Sequence, residues 1–479
     1  MSRVFSLNPR DLWVILNQII LISLGVKTLK CLWIVLVLSA CSLGAQAPHE
    51  EPMSAQVIVV GAGMSGLAAA RTLVDQGYQV LVLESQDRIG GRLWTDRSLG
   101  VPLDLGGSWI HGTQGNPLTE LARKAGAKTV ETDGKSGVAY DAQGKLLADS
   151  RYEQMEELFS SVYQEVEEGR EELERDTTLQ AALDHVISRR KLTKAQIADL
   201  NFMLQQNFSL EAGADPAQLS LWNWDQDEGF EGEEVVFPKG YNQLTDYLAQ
   251  GLKIRLNQRV TRIEYSAKGV TLHTSSGRFK AGFAVVTLPL GVLKKGEVVF
   301  DPPLPSQKLQ SIQRLGMGVL NKVYLKFPTV FWDRSAQVIS YLGTKIGQWS
   351  DWMNFFALMK EPVLMAFHGG AQGFALEELT DQQIIDGAMK TLRTLYGNSI
   401  PQPVGTLITR WGKDPNAYGS YSYNPPQSTG KDYDQLAAPV LGTLFFAGEA
   451  TNRRYPGTAH GAYLSGVRAA KEVVAQGDR

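Results

Sequence analysis

Val57-Ile58-Val59-Val60-Gly61-Ala62-Gly63-Met64-Ser65-Gly66 decides the fold: four β-branched apolar residues run straight into three glycines at the spacing G-x-G-x-x-G. Such a run suits a short strand buried on both faces. Leu67 to Gln76 then predicts a helix closed by Gly77, and Gln79-Val80-Leu81-Val82-Leu83 a second strand ended by Glu84. In this unit the glycines let the backbone turn tightly and approach a pyrophosphate lying on the helix N-terminus. An acid about 20 residues further on accepts from ribose hydroxyls. Gly61, Gly63, Met64, Ser65, Gly66 and Glu84 are therefore candidate dinucleotide ligands. The plainer alternative is a glycine-rich turn in any α/β sheet, but strand, helix and terminal acid all stand in place.

The chain around this unit is ordinary globular material. It has 479 residues, 43% apolar and 20% charged, enough for a large core and more than one domain. Its 47 Lys and Arg against 50 Asp and Glu give a formal charge of −3, with no basic excess for a phosphate backbone, so nucleic acid is not an expected partner. Both cysteines, Cys31 and Cys41, precede the strand. Everything after them has no internal disulfide, no Cys metal ligand and no thiol nucleophile.

Arg88-Ile89-Gly90-Gly91-Arg92 follows the acid directly, a second glycine turn whose guanidinium groups can face phosphates. This succession resembles the flavin-dependent amine oxidase superfamily, and equally, at this point, carotenoid desaturases and protoporphyrinogen oxidases. Two later segments narrow it. Asp104-Leu105-Gly106-Gly107-Ser108-Trp109-Ile110-His111-Gly112 resembles the spermine and acetylpolyamine oxidases, in which this histidine lies in the substrate tunnel beside the flavin. Trp109 stands where snake-type L-amino acid oxidases carry an Arg that clamps the substrate carboxylate. Leu444-Phe445-Phe446-Ala447-Gly448-Glu449-Ala450-Thr451, followed by Tyr455-Pro456-Gly457-Thr458-Ala459-His460-Gly461 and a helix from Tyr463, resembles the C-terminal flavin segment of polyamine oxidases and of lysine-specific histone demethylase.

The resemblance, over residues 55 to 475, implies an α/β chain with a Rossmann-type FAD-binding domain and an interleaved α+β substrate domain. The expected FAD-binding segments are 55–130, 235–305 and 415–475, and the substrate-domain segments 131–234 and 306–414. FAD is the implied cofactor, touched by the first glycine turn, Glu84, Arg88, Gly90, Gly91, Arg92, Gly107, Ser108 and Trp109. Val260 would supply adenine-side backbone contacts, Glu449 would reach the ribityl side, and Gly457, Thr458 and Ala459 would lie at the isoalloxazine ring. Lys322, in Leu315-Gly316-Met317-Gly318-Val319-Leu320-Asn321-Lys322, matches the lysine that holds a water against flavin N5. A lysine in an apolar strand is costly without a role or a partner. Trp411 and Tyr421, in Gly419-Ser420-Tyr421-Ser422-Tyr423, match one wall of the aromatic cage. Ser420 replaces the flavin-linking Cys of monoamine oxidases, so FAD is expected to be noncovalent. Thr458 falls where many relatives place the opposing cage tyrosine.

The acidic stretch Trp222-Asn223-Trp224-Asp225-Gln226-Asp227-Glu228-Gly229-Phe230-Glu231 resembles the cleft loop of the demethylase. Charge runs are commonly solvated faces. At a tunnel mouth, however, Asp225, Asp227 and Glu228 would align a polycation, with Tyr423 and Thr458 beside the substrate. The implied activity is FAD-dependent oxidation of a polyamine C–N bond to an imine, then aldehyde plus amine, with O2 reduced to hydrogen peroxide and His111 orienting or deprotonating the reacting nitrogen. L-amino acid oxidase, a flavin desaturase and a flavin-binding scaffold without turnover are the alternatives.

Ahead of the strand, residues 12–26 and 31–40 are apolar runs broken by Lys27 and Lys30, the second ending Leu38-Ser39-Ala40-Cys41. Neither run reaches the length of a spanning helix. Residues 1–41 resemble a bacterial lipoprotein signal with Cys41 as the lipidated residue, which implies an exported protein attached to a membrane. One interrupted membrane-anchoring helix is the alternative.

Overall fold

The computed structural model describes residues 53–477, apart from 134, 135, 227 and 346. The readings made for residues 1–41 and for Asp227 therefore lie outside the described residues. Among the described residues no helix is long and apolar enough to cross a membrane.

The opening strand, Met53–Val60, lies at the middle of an eight-stranded sheet, parallel to Val80–Leu83 on one side and to Gly277–Val286 on the other. The long strand Gly277–Val286 changes partner along its length. Its first half pairs antiparallel with Gly269–Thr274, and its last three residues pair parallel with Leu444–Phe446. Segments near both ends of the chain thus meet in one sheet. Alternate residues serve two cores, because successive side chains point to opposite faces. Val57, Val59, Val82, Val285 and Phe445 pack under the helices Met64–Asp75 and Ala459–Gly477, while Ile58, Val60, Leu83, Val286 and Phe446 meet Ile263, Leu272 and Leu436.

Two glycines set how closely the backbone packs here. A Cβ on Gly66 would lie 2.0 Å from the carbonyl oxygen of Gly61, and one on Gly466 would lie 2.1 Å from that of Ser65. Only glycine lets the first helix close on the turn and the last helix close on the first.

A second, six-stranded sheet runs in the order Gly405–Ile408, Leu320–Lys326, Val363–Gly369, Asp351–Asn354, Val338–Tyr341 and Gly137–Tyr140. Val323, Leu325, Trp352 and Leu364 on one face pack against Ile384, Ala388 and Leu392 of the helix Asp381–Tyr396. The helical pieces between 149 and 212 form a separate cluster around Val162, Leu183, Leu204 and Phe208. The stretch 178–210 does not run as one helix. Arg190 leaves helical geometry, and Thr193 with Gln196 starts a new helix through a capping box. That helix passes into a π-helical turn at Gln205–Ser209, ending in Gly213 at φ 61°.

Candidate active site

At the end of the first strand Gly61 turns at φ 103°, and Thr287, at the end of the neighbouring strand, donates from Oγ1 to the Val60 carbonyl at 2.7 Å. The helix that follows has no side-chain cap on its N-terminus and no acid in its first turn. Its free N–H groups are left for an anion. Glu84 is buried, accepting from Ala62 N–H at 2.7 Å and from Gln86 N–H at 2.8 Å. The carboxylate therefore fixes the glycine turn as well as facing the space beside it.

That space is an elongated cavity of about 390 Å³. Gly61, Gly63, Met64, Ser65 and Glu84 line it at the helix N-terminus, joined by Gly90, Gly91, Arg92 and Gly107. Toward one end lie Val260, Val292 and Val298; toward the other lie Ser420, Tyr421, Glu449, Gly457, Thr458 and Ala459. A valine cluster rimmed by polar side chains, an uncapped helix N-terminus and an aromatic wall suit a dinucleotide with a fused-ring head. Gln258, Arg259, Thr287, Glu297 and Asn416 also line the cavity. Sequence reasoning missed them, since no short motif marks them.

Glu449 organises the ring end. Its buried carboxylate takes Arg92 NH1 at 2.9 Å, Ser422 Oγ at 2.6 Å and Gly457 N–H at 3.0 Å. The same Arg92 nitrogen donates to the Ser420 carbonyl at 2.9 Å, so one ion pair joins the second glycine turn, the cage strand and the C-terminal turn. Tyr421 sits on the strand Tyr421–Tyr423, paired antiparallel with Gly316–Gly318. Its hydroxyl donates to the Leu210 carbonyl at 2.8 Å, which ties the cage wall to the π-helical segment.

Other sequence candidates stand behind this cavity rather than in it. Lys322 is fully enclosed, donating to the Asp104 carbonyl at 3.0 Å, the Gly106 carbonyl at 2.6 Å and Ser108 Oγ at 2.6 Å. The ammonium is thus held by the turn that carries Gly107. Burial pulls the Lys322 ammonium down to about 8 and pushes the Asp104 carboxyl up to about 6. Trp411 donates from Nε1 to the Leu105 carbonyl at 3.0 Å and packs edge-on against Trp94. Arg88 lies 4.4 Å over the Trp94 ring and donates to the Gly91 carbonyl at 2.9 Å, a brace for the turn rather than a phosphate ligand. Gly66 closes on Gly61, and Trp109 donates to Thr132 Oγ1 at 3.1 Å. The Tyr423 ring covers Gly316, with its hydroxyl accepting from Gln218 at 3.4 Å.

The acidic loop is braced by arginines. Asp225 is held by Arg170 at 2.8 and 3.0 Å, and Glu228 by the guanidinium of Arg454. Both of these carboxylates pair with an arginine brought from elsewhere in the chain. Phe230 stacks on Tyr455 at 4.9 Å, which lays the loop over the C-terminal turn. Among the described residues, one uncommitted acid was missed by sequence reasoning. Glu211 is exposed, has no hydrogen-bond or ion-pair partner among the described residues, and its charge acts on both Tyr421 and His111. A π-helical turn beside a left-handed glycine is the only local signal, and neither is visible in composition.

His111 exposes 61% of its side chain and meets Glu234 through Nδ1 at 2.6 Å. Burial of part of the ring lowers its pKa, but the hydrogen bond and charge of Glu234, with a contribution from Glu211, raise it overall. His460 stands near it, buried, its pKa pulled down to about 4 by burial and by the charge of His111.

A family model described as flavin containing amine oxidoreductase matches residues 64–474. Polyamine oxidase 4 of Oryza sativa subsp. japonica is 38% identical over 433 residues, covering 87% of this chain and 88% of that protein. Polyamine oxidase 2 of Arabidopsis thaliana is 36% identical over 437 residues, covering 88% of each. Lysine-specific histone demethylase 1 homolog 1 of Oryza sativa subsp. japonica is 35% identical over 469 residues, 91% of this chain and 54% of that protein. A solved structure of a putrescine oxidase redesigned in its cofactor binding superposes with a TM-score of 0.72 at 20% identity, over 88% of this chain and 100% of that one, a likeness of fold.

Proposed function

The chain belongs to the flavin containing amine oxidoreductases, and we propose that within that family it oxidises a polyamine such as spermidine or spermine. One C–N bond becomes an imine, water opens the imine to aldehyde and amine, and O2 leaves as hydrogen peroxide. FAD, when bound along the cavity, supplies the two-electron acceptor for this oxidation.

The observation that carries the reading is the distribution of charge around the Tyr421 end of the cavity. Arg92 and Arg259 are the two arginines among the lining residues. Arg92 is committed to Glu449, and Arg259 lies at the opposite end against Asn416 and Glu297. Among the described residues lining the cavity no guanidinium is free to clamp an amino acid carboxylate beside Tyr421, whereas Glu211 offers an unpaired carboxylate to an ammonium group. The polyamine oxidases among the relatives, matched over 88% of their own length, support the same substrate class. A peptidyl lysine is the alternative amine, through the demethylase relatives.

Each residue then has a task. A free amine is protonated near neutral pH and must lose a proton before its lone pair can assist oxidation. His111 receives that proton, Tyr421 confines the nitrogen, and Lys322 holds the Asp104–Ser108 turn in place. Ser420 uses Oγ to accept from Leu320 N–H at 2.8 Å, and no residue type able to link the flavin stands there. Peroxide release from spermidine, spermine, a simple monoamine and leucine tests the proposal. Polyamines are expected to give the fastest release; leucine outpacing both would replace the reading with an amino acid oxidase.

A further inference from the structure

Trp109–Ile110 pairs antiparallel with Val235–Val236 in register Ile110 to Val235, so the next position brings His111 opposite Glu234. Cross-strand neighbours of this kind are within side-chain reach. One oxygen of Glu234 meets His111 Nδ1 at 2.6 Å, and the other accepts from Gly112 N–H at 3.0 Å. The Trp109 ring lies nearly parallel to the imidazole, 6.4 Å between centroids at 22°. The carboxylate is therefore anchored at both oxygens.

We propose that Glu234 is a positioning residue that fixes His111 as the proton acceptor for the substrate ammonium. The inference rests on the amine oxidase reading above. An ionised carboxylate can only accept, so Nδ1 of His111 carries its proton toward Glu234 and the neutral ring presents its lone pair at Nε2. In the transfer the substrate N–H bond breaks, its proton forms a bond to Nε2, and the nitrogen keeps the electron pair. The imidazolium so formed is stabilised by Glu234 on one side. Other charged or titratable groups facing it are Glu211, on the Leu210–Ala212 segment, and His460, on the C-terminal helix. His460, with its pKa pulled down to about 4, stays neutral under the same conditions and does not compete for the proton.

The test follows the imidazole signals of the flavin-loaded, 15N-histidine-labelled protein by NMR against pH, with His111→Ala assigning the His111 signal, and runs anaerobic flavin reduction by spermine alongside. In Glu234→Gln the His111 midpoint is expected to fall by about 0.5 to 1 pH unit, as for a partly exposed ion pair. The acid limb of the reduction rate should move with it, and the plateau should drop about tenfold or more. Glu234→Asp, which keeps the charge, should recover most of both. In a His111→Ala background, Glu234→Gln should change the rate less than twofold. An unmoved midpoint in Glu234→Gln, or rate losses that multiply in the double variant, would overturn the proposal. Failure of every amine to reduce the wild-type flavin would instead defeat the amine reading, while the midpoint still decides the Glu234 pairing.

Discussion

The ammonium of Lys322 lies 3.0 Å from the main-chain carbonyl oxygen of Asp104, and this contact fastens the six-stranded sheet to the turn that brings Gly107 to the cavity. The same carbonyl accepts from Tyr324 at 2.6 Å, while the Asp104 carboxylate takes the N–H of Tyr241 at 3.0 Å. Three residues from two elements distant in sequence, the strand Leu320–Lys326 and the start of the helix after Tyr241, converge on one residue. Lys322→Met should leave Gly106 and Ser108 without their donor and destabilise the protein by about 2 to 4 kcal/mol. Urea denaturation checks it; an unchanged midpoint would show that the ammonium contributes nothing net.

Arg92→Met strands the buried carboxylate of Glu449, whose remaining partners are Ser422 and Gly457. Breaking one side of a buried pair costs about 3 to 5 kcal/mol. The variant is expected to lose flavin on dialysis, read as the ratio of flavin to protein absorbance. Full retention would remove the Arg92–Glu449 pair from cofactor binding.

Acid precipitation of the yellow protein should leave all flavin in the supernatant, because Ser420 has no thiol and its Oγ is occupied by the Leu320 backbone. Flavin carried down with the pellet would contradict noncovalent binding.

The loop carboxylates and Glu211 separate cleanly in a KM series. Asp225→Asn and Glu228→Gln should change the spermidine KM less than about threefold, because each acid already serves an arginine. Glu211→Gln should raise it about five- to tenfold with kcat nearly unchanged. The reverse order of effects would return substrate capture to the loop.

Lys308 donates to the carbonyls of Gln435 and Leu436 at 2.9 and 2.7 Å, and burial pulls its ammonium down to about 7 from 10.5. Between those values the unfolded chain binds the extra proton, so this group makes stability rise with pH across that window. Wild type should therefore gain on Lys308→Met by about 3 kcal/mol between pH 7 and 9.5 in denaturant titrations. A constant difference between the two proteins would contradict it.

The central sheet was legible because its signals are local: β-branched runs beside glycines, an acid at the strand end, and a helix whose length its own residues set. Charge partners were not. Glu228 and Arg454 stand 226 positions apart, His111 and Glu234 stand 123 apart, and nothing in either neighbourhood marks its counterpart. Lys322 was legible as a buried lysine, but its three acceptors come from a turn more than 200 residues earlier. Sequence told which groups carry charge; only the fold told which of them are already satisfied.

Anaerobic mixing of the flavin-loaded protein with one equivalent of spermine, and separately of leucine, followed by the visible flavin spectrum, tests the central claim most directly. The account predicts prompt bleaching by spermine, recovery of colour with peroxide on admitting air, and little change with leucine. Bleaching by leucine with spermine inert would contradict it.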